Sequence, residues 1–202
     1  MEIRDCLETS VYLLATINPA SKIFLLSSMD PPYDSKRLLD IALRSSIVAF
    51  AILAILGVAG ESILMDLFRI DIYSLKVAGG LILLLVGMHA VSKGSFYEKS
   101  DFEQVSDLSI VPLAAPFIAG PGSITVSISI AASHGYAATI LCVALAVAAN
   151  MVFMLSSPLL GKGLERMHAI GPTVRITGLI VMAMAVQMIL SGLGEWLKPI
   201  IH

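Results

Sequence analysis

Residues 110–132 constrain what this chain can fold into more than any other stretch. The run holds no Asp, Glu, Lys or Arg, and it is long enough to cross a bilayer, which takes about 20 residues. Yet Gly120-Pro121-Gly122 stands at its centre. Proline removes a helix hydrogen bond and its ring clashes with the preceding turn, and only proline is a poorer helix former than glycine. Unpaired backbone groups are expensive in hydrocarbon, so irregular backbone survives there only against protein or a wet cavity. The stretch therefore reads as two half-helices meeting near the midplane, the second opening at about Ser123.

A second break matches the first. Residues 7–29 form another apolar span with Asn18-Pro19 near its middle. Asn is a favoured N-cap and Pro a favoured first helical residue, so a helix start is written in mid-membrane twice. Interrupted segments in corresponding positions of two halves are the sequence pointer to a transporter binding site. A pair of proline kinks in an ordinary bundle is the plainer alternative.

The chain is 57% hydrophobic and 14% charged over 202 residues, which excludes an ordinary soluble domain. Its net charge of −2 argues against a nucleic-acid partner, and Met1-Glu2-Ile3-Arg4-Asp5 lacks the basic start of a signal peptide. The expected fold is all-α and integral to the membrane, with six spans at about 7–29, 38–64, 73–92, 110–132, 136–160 and 174–196. Residues 93–107 carry mixed charge and read as a solvated linker between a first three-helix repeat, 1–92, and a second, 108–202. Residues 161–168 read as a loop. At an offset of 99, Lys76 pairs with Arg175, Gly79 with Gly178 and Ser92 with Ser191; Asn18-Pro19 pairs with Gly120-Pro121 at 102. Three spans per half is odd, so the second repeat enters the membrane inverted, with helices 1 and 4 broken near the midplane. Eight Lys and Arg residues flank loops 1–2, 3–4 and 5–6 against four on the other side, which puts both termini outside a cell membrane.

The chemistry is read at the breaks. A helix N-terminus carries free N–H groups and a partial positive charge, so it favours anions. Two such ends face the midplane, and a substrate carboxylate suits their field. The carbonyls near Ile17 and Ala119, which end the first half-helices, suit a cation or a substrate ammonium. The candidate substrate-binding residues are Asn18, Pro19, Gly120, Pro121, Gly122, Ser123 and Thr125. Asn150 and Gln187 lie at similar depth and are secondary candidates, although polar residues there commonly serve as interhelical glue. Lys22, four residues past Asn18, either snorkels to the interface or lines the cavity as a cation. His89 reads as structural. No span has an acidic residue near its centre, and neither a catalytic set nor a metal-ligand cluster is visible. Cys6 and Cys142 are far apart in sequence, and Cys142 reads as a small buried hydrophobe.

The strings Thr16-Ile17-Asn18-Pro19 with Ile23-Phe24, Val77 to Leu84, Val111 to Ile124, Arg175 to Ile180 and Ala185-Val186-Gln187 resemble the MarC family of integral membrane proteins over nearly the whole chain. The resemblance implies six spans, kinship with the lysine-exporter superfamily, and transport of small neutral amino acids of the glycine and alanine class. Ser21-Lys22 departs from the family pattern, which is small or apolar there. The expected function is secondary transport by alternating access around a midplane site. A channel or facilitator is the alternative, and an intramembrane enzyme a distant third. No cofactor is called for. The partners expected are a small solute and lipid, with the coupling ion, Na+ or H+, and self-association left open.

Overall fold

The structure, a computed structural model, describes residues 3–27, 33–96, 109–166 and 169–201. Among them every regular element is a helix. The order is α1 (Ile3–Ile17), α2 (Pro19–Ser27), α3 (Ser35–Ser62), a π-helical turn (Ile63–Leu67), α4 (Ile72–Lys93), a π-helical segment (Ser109–Ile118), α5 (Pro121–His134), α6 (Tyr136–Leu155), α7 (Ser157–Arg166) and α8 (Ile170–Ile201). Four described stretches are long and apolar enough to cross a bilayer: Ser35–Gly60, Ile72–Lys93, Tyr136–Leu155 and Ile170–Lys198. The molecule is an integral membrane protein built of helices.

Local chemistry sets the boundaries. Asp34 caps α3 by accepting from the Arg37 N–H at 2.8 Å. Gly94, at φ 71°, closes α4, and its N–H reaches the Ala90 carbonyl at 2.9 Å. The segment Ser109–Ile118 was expected as an ordinary half-helix and instead winds as a π-helix, ending with Ala119 N–H on the Ala114 carbonyl at 2.8 Å. Two of its ten residues, Pro112 and Pro116, have no N–H to give, so an α-helical ladder would be interrupted there. The loop expected at 161–168 is corrected too. Ser156 ends α6, and Ser157-Pro158 restarts a helix that runs to Arg166, proline suiting a first turn. The linker 93–107 lies mostly outside the described residues.

Helices α3, α5 and α6 and the π-helical segment enclose the main core with α1 and α2. On α6 the buried face is Thr139, Cys142, Val143, Ala146, Val147, Asn150 and Met154, a three-and-four spacing that gives one side of a helix. Leu141, Leu145 and Val152 stay exposed, as lipid-facing residues do. Cys6 of α1 and Cys142 of α6 are brought together, Sγ to Sγ 3.6 Å, and both are free thiols.

The longest interface joins α4 to α8. It is made by glycines rather than by large side chains. A Cβ on Gly192 would stand 2.6 Å from the Tyr73 carbonyl, one on Gly80 2.9 Å from that of Ala185, and one on Gly87 2.9 Å from that of Gly178. As the α4 number rises by seven, the α8 number falls by seven, so the two helices run antiparallel. Near one end Lys76 and Glu195 form an ion pair at 2.5 Å. A cavity of about 310 Å³ opens at that end beside Tyr12, Lys76, Ser133, His134 and Ser191. At the opposite end α7 packs on α2, with Gly161 against Ser27.

Candidate functional site

The breaks at Asn18 and at Gly120 share one small pocket. Thr16, Ile17, Asn18, Ser21 and Lys22 line it from the first break and Phe117, Gly120, Pro121, Gly122 and Ser123 from the second, with Ile82, Leu83, Val86 and Val181 closing it. Its volume is about 70 Å³, room for a very small solute, since a water molecule's share of liquid volume is about 30 Å³.

Asn18 ends α1 in the left-handed conformation, at φ 60°. Its N–H bonds the Leu14 carbonyl at 3.0 Å and closes the helix. Its own carbonyl accepts from the Ser21 N–H at 3.2 Å and the Ser21 hydroxyl at 2.7 Å. After glycine, Asn is among the residues that enter this left-handed region most readily. Pro19 is the first residue of α2, where its missing N–H is harmless.

The second break is built differently. Gly120 is the N-cap of α5, at φ −93° and ψ 173°, and Pro121 occupies the first helical position. Helix α5 thus opens at Pro121, two residues ahead of the expected Ser123. Ser123, third in the helix, accepts from the Gly120 N–H at 3.0 Å and donates to the Ile118 carbonyl at 2.7 Å. This is half of a capping box, with the serine reaching back to the N-cap N–H. Gly122 packs against Leu83, whose Cγ would lie 2.7 Å from any added Cβ.

Lys22 does not snorkel. It is 1% exposed, and its ammonium donates to the Ile17 carbonyl, the last residue of α1. Four candidates fall outside the pocket: Pro19, the first residue of α2, is not among the lining residues, and neither are Thr125, Gln187 and Asn150. Thr125 and Gln187 line the wider cavity at the end of the bundle. Thr125 is one turn of α5 beyond Pro121 and donates to its carbonyl at 2.8 Å, so it stands about 6 Å farther along the helix from the break. Asn150 is buried on α6 and lines neither cavity; its Nδ2 contacts Met154 Sδ at 3.3 Å while Oδ1 has no partner. His89 keeps a buried Nε2 without a partner and stands apart from both cavities. Sequence reasoning missed the roles of Ser21 and Leu83. Ser21 carried a signal, since serine near a helix start commonly bonds backbone. Leu83 carried none, for one leucine in Leu81-Ile82-Leu83-Leu84-Leu85 looks like the next.

The model of the family described as MarC family integral membrane protein matches residues 4–197. A UPF0056 membrane protein of Pyrococcus horikoshii is 32% identical over 192 residues, covering 95% of each chain. The UPF0056 inner membrane protein MarC of Escherichia coli K12 is 31% identical over 207 residues, covering 93% of each. A UPF0056 membrane protein of Bacillus subtilis is 29% identical, covering 91% of each. No solved structure matches the chain. With nearly the whole sequence matched by the family model and by full-length relatives, the chain belongs to the MarC family of integral membrane proteins.

Proposed function

We propose that the protein is a secondary transporter of a small carboxylate-bearing solute, of the glycine and alanine class, working by alternating access. The observation that carries this reading is the shared pocket: the starts of α2 and α5 line the same small space. Two helix N-termini directed at one space favour a single negative group. A broken membrane helix places such ends at the midplane, where transporters bind substrate.

On this reading α1 with α2, and the π-helical segment with α5, are the first spans of two inverted repeats, residues 1–92 and 108–202 joined by 93–107. Six spans result, helices 1 and 4 being the broken ones. The antiparallel course of α4 and α8 supports it, since equivalent third spans of inverted repeats run in opposite directions. A pocket of about 70 Å³ suits occluded binding better than a continuous pore. The protein works in the cell membrane with both termini outside, by the Lys and Arg bias. A single cysteine placed at position 100 should react with an impermeant reagent only from the cytoplasmic side; labelling from outside in intact cells would reverse the orientation.

Reconstituted protein should take up labelled glycine or alanine into proteoliposomes, saturably and with countertransport. Ser123→Ala removes the hydroxyl that bridges the Gly120 N–H and the Ile118 carbonyl. It should lower uptake about tenfold with folding retained, the loss of one or two hydrogen bonds near 1 kcal/mol each. Saturable uptake without countertransport would favour a facilitator. Parental uptake by Ser123→Ala would remove Ser123 from the site.

A further inference from the structure

The carbonyl end of a half-helix at a membrane break is where transporters commonly hold a dissolved cation. At the first break of this chain that end is already occupied. Lys22 is the fourth residue of α2, its ammonium donates to the Ile17 carbonyl that ends α1, and the residue is 1% exposed. Near the start of its own helix a cation meets the positive end of the dipole, which is unfavourable. Turned back across the break, it meets the negative end of α1, which is favourable. The second break carries no charge at the same place: a neutral hydroxyl, that of Ser123, donates to the Ile118 carbonyl. Among the described residues lining the pocket none is Asp or Glu, so no described carboxylate there neutralises Lys22.

We infer that the Lys22 ammonium is a tethered substitute for a coupling cation, seated at the carbonyl end of α1, and that solute movement through this protein therefore does not require Na+. The same charge, added to the N-termini of α2 and α5, is what the carboxylate of the solute meets. The inference rests on the transport reading above and specifies the ion dependence of that same site.

The test uses the full chain, purified and reconstituted. Uptake of labelled glycine is measured with Na+ outside and with N-methylglucammonium in its place at equal ionic strength. Equal rates are expected. Uptake that falls more than about fivefold when Na+ is replaced overturns the inference and leaves the transport reading standing. Absence of uptake in either salt overturns the transport reading, and this inference with it. A second measurement follows the cradle itself. The Tm of Lys22→Ala in detergent is expected to rise by several degrees in Na+ or methylammonium chloride over N-methylglucammonium chloride, while the parent is indifferent. The vacated carbonyl end then readmits a dissolved cation. An indifferent Lys22→Ala overturns the inference. Should Lys22→Ala fail to fold, Lys22→Met keeps the length and removes the charge; less than one-tenth of parental uptake is expected, and parental uptake overturns the inference.

Discussion

Gly87→Val should abolish the folded protein or lower its Tm by roughly 6–12 °C, the equivalent of about 3 kcal/mol for a chain of this size. The reason lies in what the new side chain would strike. A Cβ at Gly87 stands 2.6 Å from Met182 Cγ, 2.9 Å from the Gly178 carbonyl oxygen and 3.0 Å from the Met182 nitrogen. Two of the three are backbone atoms of α8, which cannot move aside without the helix. Membrane helices gain little from hydrophobic exclusion, so close backbone approach through small residues supplies much of their association. Gly194→Ala, on the partner helix α8, is the control. Nothing lies within 4 Å of its added Cβ, so alanine should leave Tm unchanged or raise it, glycine being the worse helix former by about 1 kcal/mol. If Gly87→Val matches the parent in detergent size-exclusion profile and Tm, the α4–α8 contact is not what the structure describes.

The second large effect is on activity. Gly122→Ala should fold normally and lose at least nine-tenths of its uptake. Its Cβ would meet Leu83, with Cγ at 2.7 Å and one methyl at 3.0 Å. The obstacle here is the far end of a flexible side chain, so the fold can yield where it cannot at Gly87. Leu83 and Gly122 line the same pocket of about 70 Å³, and one methyl plus a displaced leucine takes up much of that space. Leu83→Ala added to Gly122→Ala should restore part of the uptake, because the two positions are in contact and their effects do not add. Full uptake by Gly122→Ala, or no recovery in the double variant, would separate this pocket from the transported solute.

The sequence carries the two helix breaks openly, because Asn18-Pro19 and Gly120-Pro121-Gly122 are local backbone chemistry that needs no partner to be read. Helical class and membrane residence are legible for the same kind of reason, long apolar runs. What stays hidden depends on which faces meet. Thr125 and Ser123 are two residues apart, yet a helix turns about 100° per residue, and the turn sends Thr125 to another cavity. Lys22 has two physically sound positions on paper, and only the helix break at Asn18, which sets the Ile17 carbonyl within its reach, decides between them. The pairing of Cys6 with Cys142 is a property of α1 lying on α6, and nothing in either segment announces it. Residues 109–118 looked like an ordinary half-helix because the effect of two prolines on winding emerges only when the ladder is built.

The glycine seam also limits how the molecule can change shape. Its three tight points, Tyr73 with Gly192, Gly80 with Ala185 and Gly87 with Gly178, recur every seven residues along both helices. A shift of α4 along α8 by one residue would bring side chains against backbone at all three places together, and the next matching register is two turns away. Sliding is therefore barred, and the two helices are held in one register. On the transport reading proposed above, alternation between two open states would carry α4 and α8 as a single keyed shaft, with the short, broken segments swinging around it.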